Sequence, residues 1–319
     1  SRNKKSVTLD LREEADRAIA RQLAAEADVL IENFKPGTME KWGMGYEQLS
    51  ARNPGLIMLR ISGYGQSGPY KDRPGFAVVA EAMGGMRYLN GEPGRAPVRA
   101  GVSLGDTLAA LHGVIGVLLA LQARHASVSA EAPKGRGQVV DVALYEAAFT
   151  QMEPVVPAHE KLGVVPQREG SNLPSMAPNS SYPTADGGFV LIAANSQPTW
   201  RRLVALMQMP ELLTDLRFET IQARGRPENM KAIDQIIANW TRGFNGNTLE
   251  QMLGRLQREG YLDASSAPRE DMFARAIRRD IGVVRDHFAA TRGGIERRVR
   301  TLLPMVALIR GREVADDLV

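Results

Sequence analysis

Two kinds of hydrophobic pattern alternate along this chain. Short, nearly continuous apolar runs, "DVLIENF" (28–34) and "GLIMLRISGYG" (55–65), have the length and composition of strands buried on both faces. Longer stretches with helical spacing lie beside them: "REEADRAIARQLAAEA" (12–27), with acids in its first turn, and "MEKWGMGYEQLSARN" (39–53). "SVTLDL" (6–11) reads as a further strand, and "KPG" (35–37) ends the first apolar run. Strands and helices in this order predict βαβ units, hence an α/β layer with a Rossmann-like parallel sheet.

Past a Gly/Pro-rich loop (63–75), the pattern predicts a helix over "FAVVAEAMGGM", a polar loop, and then the most apolar stretch, "LAALHGVIGVLLALQ". That stretch falls short of the ~20 residues that span a bilayer. It also holds His112 and two glycines, so a core helix is expected and no membrane partner. "GRGQVVDVAL" predicts a tight turn and strand running into the helix "YEAAFTQM". From about Gly170 the character changes. "GSNLPSMAPNSSYPTADGG" is linker-like and ends in a predicted hairpin turn before the strand "FVLIAAN". Helical patterns follow around "PTWRRLVALMQ" and "ENMKAIDQIIANWTRG". The expected organisation is a large domain over 1–169 and a smaller α+β domain over 170–260. A C-terminal segment, 261–319, is expected to return to the large domain; it carries eleven arginines, no lysine and weak periodicity.

At 319 residues and 44% hydrophobic, the chain can bury a full core. Its net charge of +4, from 40 Lys and Arg against 36 Asp and Glu, comes without any dense basic run interleaved with aromatics. That argues against nucleic acid and suits small anionic ligands. The sequence has no cysteine, which excludes disulfides, thiolate metal sites and cysteine nucleophiles and fits a reducing, cytoplasmic compartment. Its four histidines, His112, His125, His159 and His287, lack metal-ligand spacing, so no metal site is expected. The chain opens on Ser1 in the approach to a strand, so its true amino terminus is expected upstream.

One acid stands out. "VSLGDTLAALHG" (102–113) places Asp106 behind Gly105 at the mouth of the apolar helix. Asp is among the best helix caps; a carboxylate there can also be a covalent nucleophile. Other motifs read as structure. "GYGQSGPY" (63–70) lacks the ending of a phosphate loop, and "GRGQ" (135–138) is a turn. Tyr145 and Glu146 sit at a strand-to-helix junction where an acid suits the dipole. His112 lies ~240° around the helix from Asp106, on a different face.

Taken in order, several segments resemble the class III CoA-transferases, whose fold the α-methylacyl-CoA racemases share. They are "NKKSVTLDL", "ADVLIENFKPGTMEKWGMG", "LIMLRISGYGQSGPY", "PGFAVVAEAMGGM", "APVRAGVSLGDTLAALHGVIGVLLAL", "GRGQVVDVALYE" and "YPTADGGFVLIAA". The resemblance implies that Asp106 is the catalytic aspartate. It places Asn33, Phe34 and Lys35 along the coenzyme A site, with Lys41 as a basic contact. Lys4, Lys5 and Leu9 would edge the same site near the nucleotide and phosphates, and Pro74 and Phe76 would lie beside the thioester. It further implies an interlocked-ring homodimer that transfers coenzyme A from an acyl-CoA donor to a small carboxylate acceptor. Coenzyme A is then a substrate and no cofactor is permanently bound.

Three departures accompany the resemblance. The family's first strand, helix and second strand should precede Ser1. Ala77 stands where the family commonly has an acid, and the sequence after "LQREG" diverges. Two alternatives follow: a racemase, against which Phe76 stands where the racemases place a histidine, and a CoA-binding remnant without turnover.

Overall fold

The computed structural model describes residues 5–152 and 154–249 and, as backbone, the strand at 263–267. These form two units, 5–90 with 97–166, and 91–96 with 167–249 and 263–267. In the first unit the chain runs through α1 (Glu14–Glu26), β1 (Val29–Glu32), α2 (Thr38–Lys41), α3 (Tyr46–Ser50) and β2 (Ile57–Ser62). It continues through α4 (Ala77–Met83), α5 (Met86–Leu89), α6 (Leu104–Ala126), β3 (Val139–Ala143), α7 (Leu144–Phe149) and α8 (Val155–Leu162).

β1, β2 and β3 form a parallel sheet in that order, with Val29 opposite Ile57 and Met58 opposite Val139. Alternation along β2 and the residue before it feeds two cores. Ile57 and Leu59 pack with Ala109, Val117 and Ala120 of α6, while Leu56 and Met58 pack with Ala24, Met39 and Leu49. Helices thus cover both faces, which is why this sheet reads as apolar runs. Glycines bring α6 down onto the strands: a Cβ on Gly113 would stand 2.9 Å from Leu59, and one on Gly116 2.6 Å from Val140. At the far end of α6 the buried Arg124 donates to the Gly55 carbonyl at 2.9 Å and pairs with Asp28 at 3.0 Å.

Several expectations need correction. α6 extends beyond the apolar run to 23 residues and is, by length and composition, apolar enough to cross a membrane. One stripe of it, from Gly105 and Ala109 to Ala120 and Arg124, is buried, while Leu111, Val114, Ile115 and Leu119 are exposed. Residues 6–11 form no strand. A strand needs a neighbour to take its amides and carbonyls, and among the described residues the edge strand β1 pairs with β2 alone. The segment turns instead, with the Asp10 amide donating to Asp16 at 2.6 Å and Arg12 clamping the Asp10 carboxylate at 2.7 Å. The single helix expected over 39–53 is two, because Gly43 adopts a φ of 66° between them.

The second unit holds β4 (Asn179–Pro183), β5 (Phe189–Ala193), α9 (Gln197–Met207), α10 (Ile221–Arg224), α11 (Pro227–Thr241) and β6 (Asp263–Ala267). Its sheet is antiparallel in the order β4-β5-β6. The stretch read as linker therefore contains a strand, which hairpins onto β5 with the Thr184 amide donating to the Gly188 carbonyl at 2.9 Å. Tyr182, Val190, Ile192, Trp200, Leu203, Phe218, Ile233 and Ile237 form its core. β6 belongs to this sheet, whereas the segment from 261 was expected to return to the large domain. The remainder of that expectation lies outside the described residues.

Candidate active site

The carboxyl ends of all three parallel strands open on one cleft of about 590 Å³ within the first unit. Open α/β sheets bind ligands at such edges. Asn33, Phe34, Lys35 and Pro36 line it after β1, Ile61, Ser62 and Gly63 at the end of β2, and Leu144 after β3. Lys71, Arg73, Pro74, Gly75 and Phe76 of the loop before α4, the first residues of α4, Arg99 and Asp106 complete its lining.

Each part is held by identifiable contacts. Glu32, buried at the end of β1, accepts the Phe34 amide at 2.7 Å and Arg60 Nε at 2.6 Å. The same guanidinium reaches Glu40 through Nη1 at 2.6 Å and Nη2 at 3.2 Å. Arg60 thus ties the 33–36 loop to α2, and its hydrogen bond to Glu40 holds that carboxyl below the usual range. Phe34 also meets Trp42 edge-on, with ring centroids 5.1 Å apart. Across the cleft, Gly63 and Gly75 touch backbone to backbone. A Cβ on Gly63 would fall 2.5 Å from the Gly75 Cα, so neither position has room for a side chain. Tyr64 stands between Tyr70 and Tyr145, and Arg73 lies 4.0 Å over the Tyr70 ring.

α6 begins at Leu104 with Ser103 as its cap residue, so Asp106 sits in the first turn and is not the cap. A negative charge there still suits the helix dipole. Its carboxylate is exposed and makes no hydrogen bond or ion pair among the described residues. The turn beneath it is fixed. Buried Gly105 packs on Ala77, which a Cβ would meet at 3.2 Å. Its amide donates to Glu81 at 3.3 Å, and Glu81, only 3% exposed, pairs with Arg87 at 3.1 Å.

Asn33, Phe34, Lys35, Pro74, Phe76 and Asp106 are therefore brought together in one cleft. Lys5, Leu9 and Lys41 are not among its lining residues, and Lys4 lies outside the described residues. The sequence reading missed Lys71, Arg73, Arg99 and Ser62. The available signal was the glycine at each end of the 63–75 loop, whose contact folds "KDRP" over the strand ends. Among the described residues, Lys35, Lys71, Arg73 and Arg99 give the cleft four cations against a single lining carboxylate, Asp106. His112 is engaged elsewhere: Nδ1 lies 2.8 Å from the Leu108 carbonyl and Nε2 3.4 Å from Thr150 Oγ1.

An α/β domain with a cationic cleft at the carboxyl ends of its parallel strands, and a carboxylate on the wall with no partner among the described residues, is the kind of site that suits anionic ligands. The particular family follows from comparison. The sequence profile described as CoA-transferase family III matches residues 1–302, and the chain belongs to that family. It is 46% identical over 253 residues to succinyl-CoA--D-citramalate CoA-transferase of Chloroflexus aurantiacus, covering 79% of this chain and 61% of that protein. It is 34% identical over 257 residues to succinyl-CoA:mesaconate CoA-transferase of Haloarcula hispanica, covering 79% of this chain and 62% of that one. The chain thus spans about three fifths of the length of these relatives. Among solved structures, a CaiB/BaiF family protein from Brucella suis superposes with a TM-score of 0.70 at 34% identity, covering 85% of this chain and 68% of the other.

Proposed function

We propose that the chain carries the catalytic centre of an acyl-CoA:carboxylate CoA-transferase, with Asp106 as nucleophile. The observation that carries this reading is the position of Asp106 in the cleft lining: among the described residues, its carboxylate has no partner and the other charged lining residues are cations. Those cations suit the phosphates of coenzyme A and the carboxylates of donor and acceptor.

The steps balance without a further reactant. Asp106 attacks the thioester carbonyl, forming a mixed anhydride and releasing the coenzyme A thiolate. The thiolate attacks the aspartyl carbonyl, giving an aspartyl thioester and freeing the donor acid. The acceptor carboxylate attacks that thioester, re-forming an anhydride and releasing thiolate. Thiolate attack on the acceptor carbonyl yields the new acyl-CoA and restores Asp106. Oxyanions form at each attack, and helix-start amides are suited to them. Glu81 already engages the Gly105 amide, which leaves Asp106's own amide as the donor without an acceptor among the described residues.

The names of the relatives point to succinyl-CoA as the donor to try first and to small dicarboxylic acids as acceptors. The reading includes the homodimer and the cytoplasmic location that the family resemblance and the absence of cysteine support. Its test is a panel of acyl-CoA donors against carboxylate acceptors, followed by mass spectrometry. Exchange of coenzyme A between at least one pair supports the reading. Hydrolysis alone, or no turnover with any pair, contradicts it.

A further inference from the structure

Ser62 ends the central strand β2 at the floor of the cleft. It is 8% exposed, and its hydroxyl oxygen is buried with no hydrogen-bond partner among the described residues. Its ladder neighbour is Ala143, which offers no side-chain acceptor, and the adjoining lining residues Ile61 and Leu144 are apolar. Among the described residues, it is the unpartnered buried side-chain atom that belongs to a residue lining the cleft. Buried hydroxyls are paired in folded proteins, and leaving one unpaired destabilises the fold. An alanine would fill the same space at no such cost, so the hydroxyl needs a partner that the described residues do not supply.

We infer that Ser62 is a substrate-binding residue, its hydroxyl donating a hydrogen bond to an acyl oxygen of the molecule that occupies the cleft. The inference rests on the transferase reading and adds a contact to it. The cations lie on exposed loops, where they meet phosphates and carboxylates as solvated ion pairs. Ser62 is buried at the end of β2, and the same cleft is lined by the apolar Ile61, Pro74, Phe76 and Leu144, which suit the least charged part of the ligand, the acyl group. The pantetheine amides of coenzyme A offer carbonyl oxygens too, so the test separates acyl group from carrier.

Wild type and Ser62→Ala are compared by thermal melting and by titration with coenzyme A and with succinyl-CoA. Removing an unpaired hydroxyl leaves the free protein melting at or above the wild-type temperature. The dissociation constant for succinyl-CoA rises about tenfold, while that for coenzyme A changes less than about twofold. Ser62→Cys, similar in size and a weaker donor, gives an intermediate loss and carries the test if the alanine variant does not fold. Equal losses for both ligands, no loss for either, or a lower melting temperature of free Ser62→Ala would overturn the inference. If succinyl-CoA and coenzyme A both fail to bind wild type, the transferase reading itself falls. If both bind and the variants match wild type, only the role of Ser62 falls.

Discussion

The two units bury arginine in opposite ways. In the first, Arg60 is 7% exposed and its guanidinium is shared between Glu32 and Glu40. In the second, Arg224 is fully buried and meets no carboxylate among the described residues. It donates instead to the carbonyls of Phe218, Asn195 and Ala177 at 2.8, 3.1 and 3.2 Å and to Gln197 Oε1 at 3.0 Å. Burial alone brings its pKa down to about 10, so it stays charged at neutral pH. Arg60 joins a loop that lines the cleft to the sheet; Arg224 joins segments that must converge for the second core to close. The first supports a wall of the cleft and depends on the ionised Glu40 carboxyl, which Arg60 holds below its usual range. The second holds a core together through carbonyls that do not titrate.

The largest effect that would separate them is expected from Arg224→Ala. It strands four acceptors and removes the packing over Trp200. The second unit should lose about 3–5 kcal/mol in chemical denaturation while the first keeps its ligand affinity. A loss below about 1 kcal/mol would mean that those carbonyls find other donors. Next comes Glu32→Ala, which leaves Arg60 half-compensated and frees the Phe34 amide. A loss of about 2–3 kcal/mol is expected in the first unit, together with weaker binding of coenzyme A, measured by calorimetry. Stability loss with unchanged affinity would detach this network from the site.

The smallest effect concerns pH. Arg60 holds the Glu40 carboxyl below its ordinary value of 4.5, so the proton binds the unfolded chain more tightly. The stabilisation is fully present above 4.5 and is lost as pH falls through the lower folded value. Because Glu40 is 42% exposed, solvent screens much of it. Denaturation of wild type and Glu40→Gln across that range should show a difference that shrinks toward acid pH. A difference that is constant with pH would contradict the assignment.

How much of this was legible in the sequence depends on whether a feature is local. β1, β2 and α6 announce themselves because burial on both faces of a strand, or along a stripe of helix, leaves a pattern in consecutive residues. Asp106 and the 33–35 segment were legible through family resemblance, while the disposition of Asp106 in the first turn came from the fold. Features that depend on a partner were not legible. Whether 6–11 is a strand rests on a neighbour that the pattern does not contain. Conversely, β4, written "NSSYP", looks like linker until β5 pairs with it. Arg99 and Ser62 carry no motif; they matter because folding brings distant loops to the same strand ends. Arg224 carries no motif either and is fully buried for the same reason.

The central claim is that Asp106 is a nucleophile, and Asp106→Asn tests it most directly. As a first-turn residue that merely suits the helix dipole, its replacement should cost less than about 1 kcal/mol and leave activity intact. As the nucleophile, it should leave fold and coenzyme A binding unchanged while transfer falls by about 10³-fold or more, because a neutral amide attacks thioesters poorly. Hydroxylamine added to wild type with succinyl-CoA should trap a hydroxamate at residue 106, read by peptide mass spectrometry. A hydroxamate at Asp106 together with an inactive, folded Asp106→Asn variant is the predicted result. A folded variant that transfers coenzyme A at the wild-type rate would contradict the account.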